Sequence, residues 1–375
     1  MIFTGKVQMR KKTIMILTCF CYSVIFHGCD FGNNPQTENF TMSNKVIVAS
    51  TVSIDYHSGN VGLYSIENNM TKKNILSMHH DNGVRIFDTN IYLVERYEKD
   101  NVLMIKGHDI ASGTVYNQLH IDNNVNIHDI AFVNPAKAYI TCYGGQNLIC
   151  YNPSTGELTG KTISLGHLSA PGASTPNMDR ALFFQGKLYV GLQRYYTDFL
   201  SEDSGSVAVV NAETDVLEKS VTLSKKQPQG MCIYDRRLYI ACTGTYESIG
   251  DGGIVAIDLM TGNFSGVIVE ESALKGNVSD VIVISATKGY AIAATEKFIN
   301  FLISFNPVTG DVISKIDAGG VPSDFLLDDG KLYIASRDEK EPGIIVLDTQ
   351  TDTKISGPHD VGLPPNRIAL LKFGE

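Results

Sequence analysis

The chain has 375 residues, 43% of them hydrophobic and 19% charged, a globular composition that excludes wholesale disorder. Thirty-four glycines and 17 tyrosines suit a turn-rich β protein, whereas the absence of tryptophan excludes a WD40 array, whose repeats contain Trp-Asp. The net charge is −9, and because residues 1–28 hold four bases and no acid, the remainder has 27 bases, 40 acids and a net charge of −13. So acidic a body would repel phosphates, and we expect no nucleic-acid partner.

Residues 1–28 have the pattern of a signal peptide. Three bases, Arg10 to Lys12, precede an uncharged apolar run at 13–26, and a small residue, Gly28, follows shortly after it. A basic segment, a short apolar segment and a small residue before the cleavage point are typical of secretory signals, and 14 apolar residues are too few to span a membrane comfortably. We therefore predict that the chain is exported.

The sequence Phe26-His27-Gly28-Cys29 resembles a bacterial lipobox, in which the cysteine after a small residue is acylated and becomes the new N-terminus. Gly28 and Cys29 match this pattern, whereas Phe26 and His27 depart from the usual aliphatic and small residues. The resemblance implies a lipid anchor at Cys29 in a bacterial membrane, facing the periplasm or the cell surface. An ordinary secretory signal and an uncleaved anchor are the alternatives.

Residues 29–45 are polar, rich in asparagine and without periodicity, which predicts a flexible tether.

Downstream of this tether, four cysteines remain in the body of the protein. They permit disulfides in an oxidising compartment, each sequential pair facing across a hairpin, but we favour their being small buried apolar residues of strands. These cysteines are Cys142, Cys150, Cys232 and Cys242.

A repeat organises the chain after residue 45. A tyrosine that follows a small or aliphatic residue and leads into a β-branched run recurs at intervals of 47, 50, 50, 51 and 43 residues. Each is flanked by further short alternating runs and by tight-turn signals such as Asn-Pro or Asp with Thr-Gly. Four short strands per unit predict a β-propeller blade. The tyrosines are Tyr92, Tyr139, Tyr189, Tyr239, Tyr290 and Tyr333.

Complete units number six, and the first unit lacks its innermost run. Residues 46–80 supply only the runs VIVAS, GLYSIE and NILSM, whereas the C-terminal segment 364–373 has the pattern of the missing innermost strand. We therefore predict an all-β, seven-bladed β-propeller over 46–375 whose first blade is closed by the C-terminal strand, which removes two unpaired sheet edges. The complete units are 82–122, 125–165, 174–224, 227–271, 276–318 and 320–360.

The repeated segments LYIA…GGIVAIDLMTG and LYVG…GSVAVVNAETD resemble those of YVTN/YncE-like seven-bladed propellers, over roughly residues 46–373. The lipobox-like start resembles exported members of that group. The resemblance implies the architecture but no particular function, because these propellers serve as ligand binders, surface proteins and scaffolds. Some surface lipoproteins of this shape capture cobalamin for outer-membrane transporters, but no diagnostic motif carries their binding residues over to this chain.

Propeller geometry predicts which residues share a face. Connections between blades, and loops between the second and third strands of a blade, emerge together around the central channel; we call this side the channel-mouth face. Four of its blade connections carry histidines, and five strand entries carry charges that would converge on the channel. The candidates are His80, His128, His167, His359, Asp129, Asp179, Asp280, Asp324 and Arg367.

Two interpretations remain open for this ring of histidine, aspartate and arginine side chains around the channel. The groups could bind a polar small molecule or a divalent cation in a funnel, with no other cofactor predicted. Alternatively, each Asp accepts hydrogen bonds from its own turn and the histidines are solvated. The long loops at 194–205 and 243–253 add the aromatic candidates Tyr195, Tyr196 and Tyr246, which would form a binding platform or pack within their own loops.

No nucleophile elbow, zinc-protease motif, P-loop or dinucleotide fingerprint occurs in the chain. We therefore predict a non-catalytic, lipid-anchored propeller, a monomer that binds a small molecule or a membrane or surface protein partner. The alternatives are a propeller enzyme, such as a lactone hydrolase or a quinone-dependent oxidoreductase using the ring carboxylates and a metal, and a purely structural surface protein.

Overall fold

The computed structural model describes residues 40–122, 124–195, 204–246, 249–295 and 297–374. These residues form seven antiparallel sheets, and the innermost strands of consecutive sheets contact one another in a closed series from the first sheet to the last. The predicted seven-bladed propeller is therefore confirmed. The predicted signal peptide, Cys29 and residues 29–39 of the predicted tether lie outside the described residues.

Blade 1 combines both ends of the described chain. The C-terminal strand β29 pairs antiparallel with β1, with Ile47 opposite Leu370, as the missing inner run predicted. The run NILSM contributes less than expected: only its last two residues form a strand, and residues 70–72 form the outer one. In order from the channel outwards the strands are β29 (Pro365–Lys372), β1 (Lys45–Val52), β2 (Gly59–Ser65) and β3 (Met70–Lys72), and β4 (Ser77–Met78) also pairs with β2.

Blades 2 to 4 follow the chain outwards from the channel, with a short 3-10 helix at Gly107–Ser112 and another at Gly166–Leu168. Blade 2 contains β5 (Asn82–Phe87), β6 (Asn90–Glu95), β7 (Asn101–Lys106) and β8 (Asn117–His120). Blade 3 contains β9 (Ile127–Asn134), β10 (Lys137–Cys142), β11 (Asn147–Asn152) and β12 (Glu157–Ser164). Blade 4 contains β13 (Met178–Phe184), β14 (Lys187–Leu192), β15 (Ser206–Asn211) and β16 (Val216–Thr222).

Blades 5 to 7 repeat this order, with one short helix, α1 (Glu271–Leu274), between blades 5 and 6. Blade 5 contains β17 (Pro228–Tyr234), β18 (Arg237–Cys242), β19 (Gly253–Asp258) and β20 (Asn263–Glu270). Blade 6 contains β21 (Asn277–Ser285), β22 (Lys288–Ala294), β23 (Asn300–Phe305) and β24 (Val312–Ile316). Blade 7 contains β25 (Pro322–Asp328), β26 (Lys331–Ser336), β27 (Gly343–Asp348) and β28 (Thr353–His359).

The core lies between the blades. The second and third strands of each blade are buried on both faces, which explains their nearly continuous apolar runs, whereas outer strands such as β16 alternate between exposed and buried positions. All six repeat tyrosines are buried in second strands. Tyr139 donates a hydrogen bond to Asp215 in the next blade at 2.5 Å, and Tyr290 donates one to Asp352 at 2.6 Å. These two tyrosines therefore join neighbouring blades through hydrogen bonds.

The described chain enters the propeller on the face opposite the channel mouth. Thr41 accepts a hydrogen bond at 2.9 Å from Asn68, which lies in the hairpin between β2 and β3 on that face, and the side chains of Phe40 and Met42 pack against the core. Residues 40–44, within the predicted tether, therefore contact blade 1.

The cysteines Cys142, Cys150, Cys232 and Cys242 are free thiols, and all but Cys232 are buried, in agreement with the interpretation that we favoured. Among the described residues, the structure has no helix with the length and apolar character needed to cross a membrane.

Candidate binding site at the channel mouth

The four predicted carboxylates stand at the entries of inner strands and are buried. Asp129 accepts a hydrogen bond from the backbone N–H of Ala181 in the next blade at 3.1 Å. Asp324 likewise accepts one from Ile368 in the next blade at 2.8 Å. These two carboxylates thus each satisfy a buried donor across a blade boundary, a role that stabilises the ring.

Arginines neutralise these carboxylates. Arg85 Nε lies 2.7 Å from Asp129 Oδ1, and Arg180 Nη2 lies 3.3 Å from Asp280 Oδ2. The predicted Arg367 lies between two carboxylates, with Nη1 3.5 Å from Asp280 and 3.4 Å from Asp324. The predicted convergence of charges therefore occurs, with more guanidinium groups than we expected.

Arg85 and Arg180 were not among the predicted residues, although the chain carries a signal for them. The entries of the seven inner strands align at positions 83, 129, 179, 230, 280, 324 and 367. At the next position, six of the seven strands have an apolar residue, and the inner strand of blade 4 has Arg180. Two positions after the entry, Arg85 is the only charged residue of the seven. A charge at a position that repeats as apolar indicates a buried ion pair, since an isolated buried charge would be too costly.

The surroundings shift the pKa values of the carboxyls in opposite directions. Burial alone would raise the pKa of Asp179, but the hydrogen bond and charge of His128, with the charges of nearby arginines, outweigh it and hold the pKa below its ordinary value. Burial raises the pKa of Asp280, and the neighbouring Asp324 adds to the rise against the opposing charge of Arg180. The cluster therefore holds carboxyls in opposite electrostatic environments.

Little space remains within this cluster. The space among Gly83, Arg85, His128 and Arg180 has a volume of about 10 Å³, which is room for no more than a water molecule. A β-carbon added to Gly230 would lie 2.2 Å from Asp280 Oδ1, so the inner strands approach one another as closely as glycine allows. A ligand would therefore bind above the cluster rather than inside the channel.

The four predicted histidines do not meet. His128 Nδ1 lies 3.0 Å from Asp179, and its ring stacks on Tyr143. His80 contacts the ring of its neighbour His79, His359 stacks on Tyr64 between blades, and His167 is exposed. Among the described residues, no group of three or more His, Cys, Asp or Glu side chains could hold a metal ion.

The predicted aromatic residues separate into different environments. Tyr195 is partly buried, and its hydroxyl donates a hydrogen bond to Gln227 at 2.7 Å, so it packs within the face. Tyr246 is 44% exposed, with its ring centroid 5.3 Å from that of Phe298. Tyr196 lies outside the described residues.

The channel-mouth face carries a cavity of about 800 Å³ over blades 6, 7 and 1. Its floor consists of polar groups at the entries of inner strands, and its walls are loops between second and third strands. We call it the mouth cavity. The floor residues are Ser279, Ser323, Asn366 and Arg367; the wall residues include Ile54, Tyr56, Lys297, Phe298, Ile299, Arg337, Asp338, Glu339 and Lys340.

Two aromatic residues face this cavity from loops of different blades. Tyr56 is 61% exposed and Phe298 is 68% exposed. Both have left-handed backbone conformations, with φ of 57° and 58°, which are unusual for bulky residues. Turn hydrogen bonds hold them there: Tyr56 N–H donates to Ser53 O at 3.0 Å, and Phe298 N–H donates to Thr295 O at 2.8 Å. Strained residues often mark functional sites, and these two present apolar area to solvent.

The comparisons with known proteins place the chain by fold. No protein-family model and no curated protein matches it. Among solved structures, a putative 6-phosphogluconolactonase from Bacteroides fragilis is 14% identical, with a TM-score of 0.61 and coverage of 88% of this chain and 98% of that one.

Two further structures are comparable in extent. A functionally unknown protein from Desulfotomaculum acetoxidans is 11% identical, with a TM-score of 0.60 and coverage of 88% of this chain and 99% of that one. Apo AztD from Citrobacter koseri is 12% identical, with a TM-score of 0.51 and coverage of 87% and 98%. At such identities the likeness concerns the fold alone, and one fold hosts many functions.

Proposed function

We propose that this protein is an exported, lipid-anchored propeller that binds a small molecule in the mouth cavity and does not catalyse a reaction. The observation that carries the proposal is the cavity itself: about 800 Å³ of space, walled by exposed apolar side chains and floored by polar groups. That volume and that mixture of groups are typical of small-molecule sites.

Burial of the cavity walls would supply the binding energy. Ile54, Tyr56, Phe298 and Ile299 are each more than half exposed, so a ligand that covers them removes apolar surface from water. Tyr246 extends this apolar rim through its contact with Phe298. The floor groups Ser279 and Ser323 would orient the ligand through hydrogen bonds.

The environment of the carboxylates favours binding over catalysis. Asp129 and Asp324 accept backbone hydrogen bonds across blade boundaries and lie beside arginines, so both are committed to the ring. Neither carboxylate is therefore free to act as a general base or a metal ligand towards a molecule in the mouth cavity. The predicted ring residues therefore act, in this proposal, as the rigid support beneath the cavity.

The export part of the proposal rests on the sequence. The basic and apolar segments before Gly28, the lipobox-like Cys29 and the YVTN-type repeats together support an exported, anchored member of the YncE-like group. Since the chain enters the propeller on the face opposite the channel mouth, an anchor upstream of Phe40 is joined to that opposite face.

The competing hypothesis is a propeller enzyme such as a lactone hydrolase, the activity for which the Bacteroides fragilis protein is named. The raised pKa of Asp280 is the observation that favours it, since a carboxyl that protonates readily is suited to acid–base chemistry. A stoichiometric divalent metal in the purified protein, together with turnover of lactones that stops in Asp280→Asn, would support this alternative.

A thermal-shift screen of the full chain against metals, cobamides, haem, sugars and organic acids tests the binding proposal. Each hit is then titrated against the double variant Phe298→Ser/Ile299→Ser and a matched control, Met260→Ser/Val308→Ser. The control residues are exposed to a similar extent, 66% and 71%, but lie in hairpins on the opposite face.

We expect the first pair of substitutions to weaken binding at least about tenfold and the control pair to leave it unchanged, because burial of large apolar side chains is worth roughly 1.5–3 kcal/mol each. If the control substitutions at Met260 and Val308 weaken binding instead, the site lies on the opposite face.

A further inference from the structure

Among the described residues, no counterion pairs with the guanidinium of Arg337, which lies in the wall of the mouth cavity. Arg337 follows β26, and its backbone N–H donates a hydrogen bond to Val321 O at 2.8 Å, which fixes the start of the loop. Its Nη1 atom is buried and has no hydrogen-bond partner among the described residues. The side chain as a whole is half-buried and borders the cavity, and it forms no ion pair with a described carboxylate.

An aromatic ring holds this guanidinium in place. The Arg337 Cζ atom lies 5.0 Å from the centroid of the Tyr56 ring, a cation–π contact. A guanidinium stacked on a ring keeps its N–H groups in its own plane, where they can donate in parallel to both oxygens of a carboxylate or to a phosphate. The left-handed conformation of Tyr56 therefore serves to position a cationic group as well as apolar area.

The acidic neighbours do not neutralise the site. The carboxylate of Asp338, the next residue, accepts hydrogen bonds from the backbone N–H groups of Lys340 and Glu341 at 2.9 and 3.1 Å, so it is engaged within its own loop. Four cationic and two acidic side chains line the cavity, in a protein whose formal net charge is −9. Lys297 and Lys340 are exposed on the same walls.

We propose that the ligand of the mouth cavity is an organic anion with an apolar body, its carboxylate or phosphate group held by Arg337 and its body lying on Phe298 and Ile299. The inference rests on the proposed binding function and specifies its ligand class. An anion bound to this guanidinium forms a hydrogen bond in which both partners are charged, which a neutral ligand of the same shape cannot form, so the two are bound unequally.

Four probes test this with the full chain in calorimetric titrations: 2-naphthoate, 2-naphthyl phosphate, the neutral 2-naphthamide and inorganic phosphate. We expect one or both aryl anions to bind at least about tenfold more tightly than the amide, the equivalent of one charge-assisted hydrogen bond. Tighter binding of 2-naphthyl phosphate than of 2-naphthoate, or the reverse, identifies which anionic group the Arg337 guanidinium binds better. Inorganic phosphate alone should bind much more weakly, because it covers no apolar wall.

Arg337→Gln should abolish the advantage of the anions and leave the affinity for the amide unchanged. Arg236→Gln is the matched control, because Arg236 lines a cavity on the opposite face, and it should alter none of the titrations. A second measurement needs no variant: raising NaCl from about 50 to about 500 mM should weaken naphthoate binding to the unmodified chain and spare the amide, since salt screens the charge.

Equal binding of naphthoate and naphthamide, or an anion advantage that survives Arg337→Gln, would overturn the inference. So would inorganic phosphate that binds as tightly as naphthyl phosphate. Should none of the probes bind, while a ligand found in the thermal-shift screen still depends on Phe298 and Ile299, the ligand class is wrong and the proposed binding function stands. If the substitutions at Phe298 and Ile299 change the affinity for none of the hits, the proposed binding function itself is wrong.

Discussion

Asp179 illustrates how single residues hold the channel mouth together. Its carboxylate lies 3.0 Å from His128 Nδ1 and accepts a hydrogen bond from Gln193 Nε2 at 2.5 Å. Thr141, in the preceding blade, donates a hydrogen bond to its backbone carbonyl at 2.7 Å. Asp280, two blades further on, faces Arg180 and Arg367 but has a raised pKa. The two carboxyls should therefore respond to acid in opposite ways.

A prediction for Asp179 follows from the direction of its pKa shift. Since its folded-state pKa lies below the ordinary value of 3.8, its stabilising contribution is complete above that value and is lost as the pH falls towards the folded-state pKa. Asp179→Asn should cost about 2 kcal/mol of unfolding free energy at neutral pH. The variant should also lose less stability than the unmodified protein below about pH 4, measured by urea unfolding.

Asp280→Asn is the matched control with the opposite sign. A carboxyl with a raised folded-state pKa binds its proton more readily when folded, so it adds stability as the pH falls through that pKa. Removal of this gain should make the acid-induced loss of stability steeper than in the unmodified protein. Identical pH dependence in the two variants would contradict the assignment of the two environments.

At the scale of elements, β29 decides whether the ring closes. It lies innermost in blade 1, and it contacts the inner strands of blades 7 and 2 as well as β1. The side chain of Leu371 is fully buried in the core between blades 1 and 2. Without this strand, β1 would present an unpaired edge to the channel, and both neighbouring blades would lose an inner contact.

Deletion of residues 364–375 should therefore destabilise the whole ring and not one blade. We expect a fall of many degrees in the melting temperature, or no cooperative transition, by circular dichroism. Deletion of 374–375 alone, which leaves β29 complete, is the control and should melt like the full chain. A 364–375 deletion that also melts like the full chain would show that closure through β29 adds no stability.

The sequence predicted the blades because strand period, turn chemistry and the buried tyrosine repeat in every unit, and Tyr139 and Tyr290 make the same contact in different blades. The sequence also predicted that charged side chains converge on the channel, because the entries of the inner strands occupy the same position in every repeat. It did not indicate the walls of the mouth cavity, since the loops that carry Tyr56 and Phe298 do not repeat. Their exposure depends on left-handed backbone turns that residue identity alone does not specify for an aromatic residue.

At the scale of the whole molecule, the propeller is a closed body with its chain entry and its mouth cavity on opposite faces. The anchoring proposal depends on one N-terminal cysteine, Cys29, and can be tested apart from the binding proposal.

Cys29→Ser should release the protein from the membrane fraction while leaving its melting temperature unchanged, because lipidation of this cysteine is the proposed anchor and the propeller begins later in the chain. Cell fractionation followed by an alkaline wash measures the release. Cys21→Ser, which removes a cysteine of the same N-terminal region, is the control and should remain with the membranes. Full membrane retention of Cys29→Ser would refute the lipoprotein assignment.

The central claim, that a small molecule binds in the mouth cavity, has a direct optical test because the chain contains no tryptophan. Phe298→Trp places the single tryptophan of the chain on the cavity wall, where it can be excited selectively at 295 nm or above, on the order of 15 nm beyond the tyrosine maximum, and Val308→Trp places it at a similarly exposed position on the opposite face. Each variant is titrated with the hits of the thermal-shift screen and with 2-naphthamide. The account predicts a saturable change in Trp emission in Phe298→Trp and none in Val308→Trp; a saturable change confined to Val308→Trp, or none in either variant while calorimetry detects binding, would contradict it.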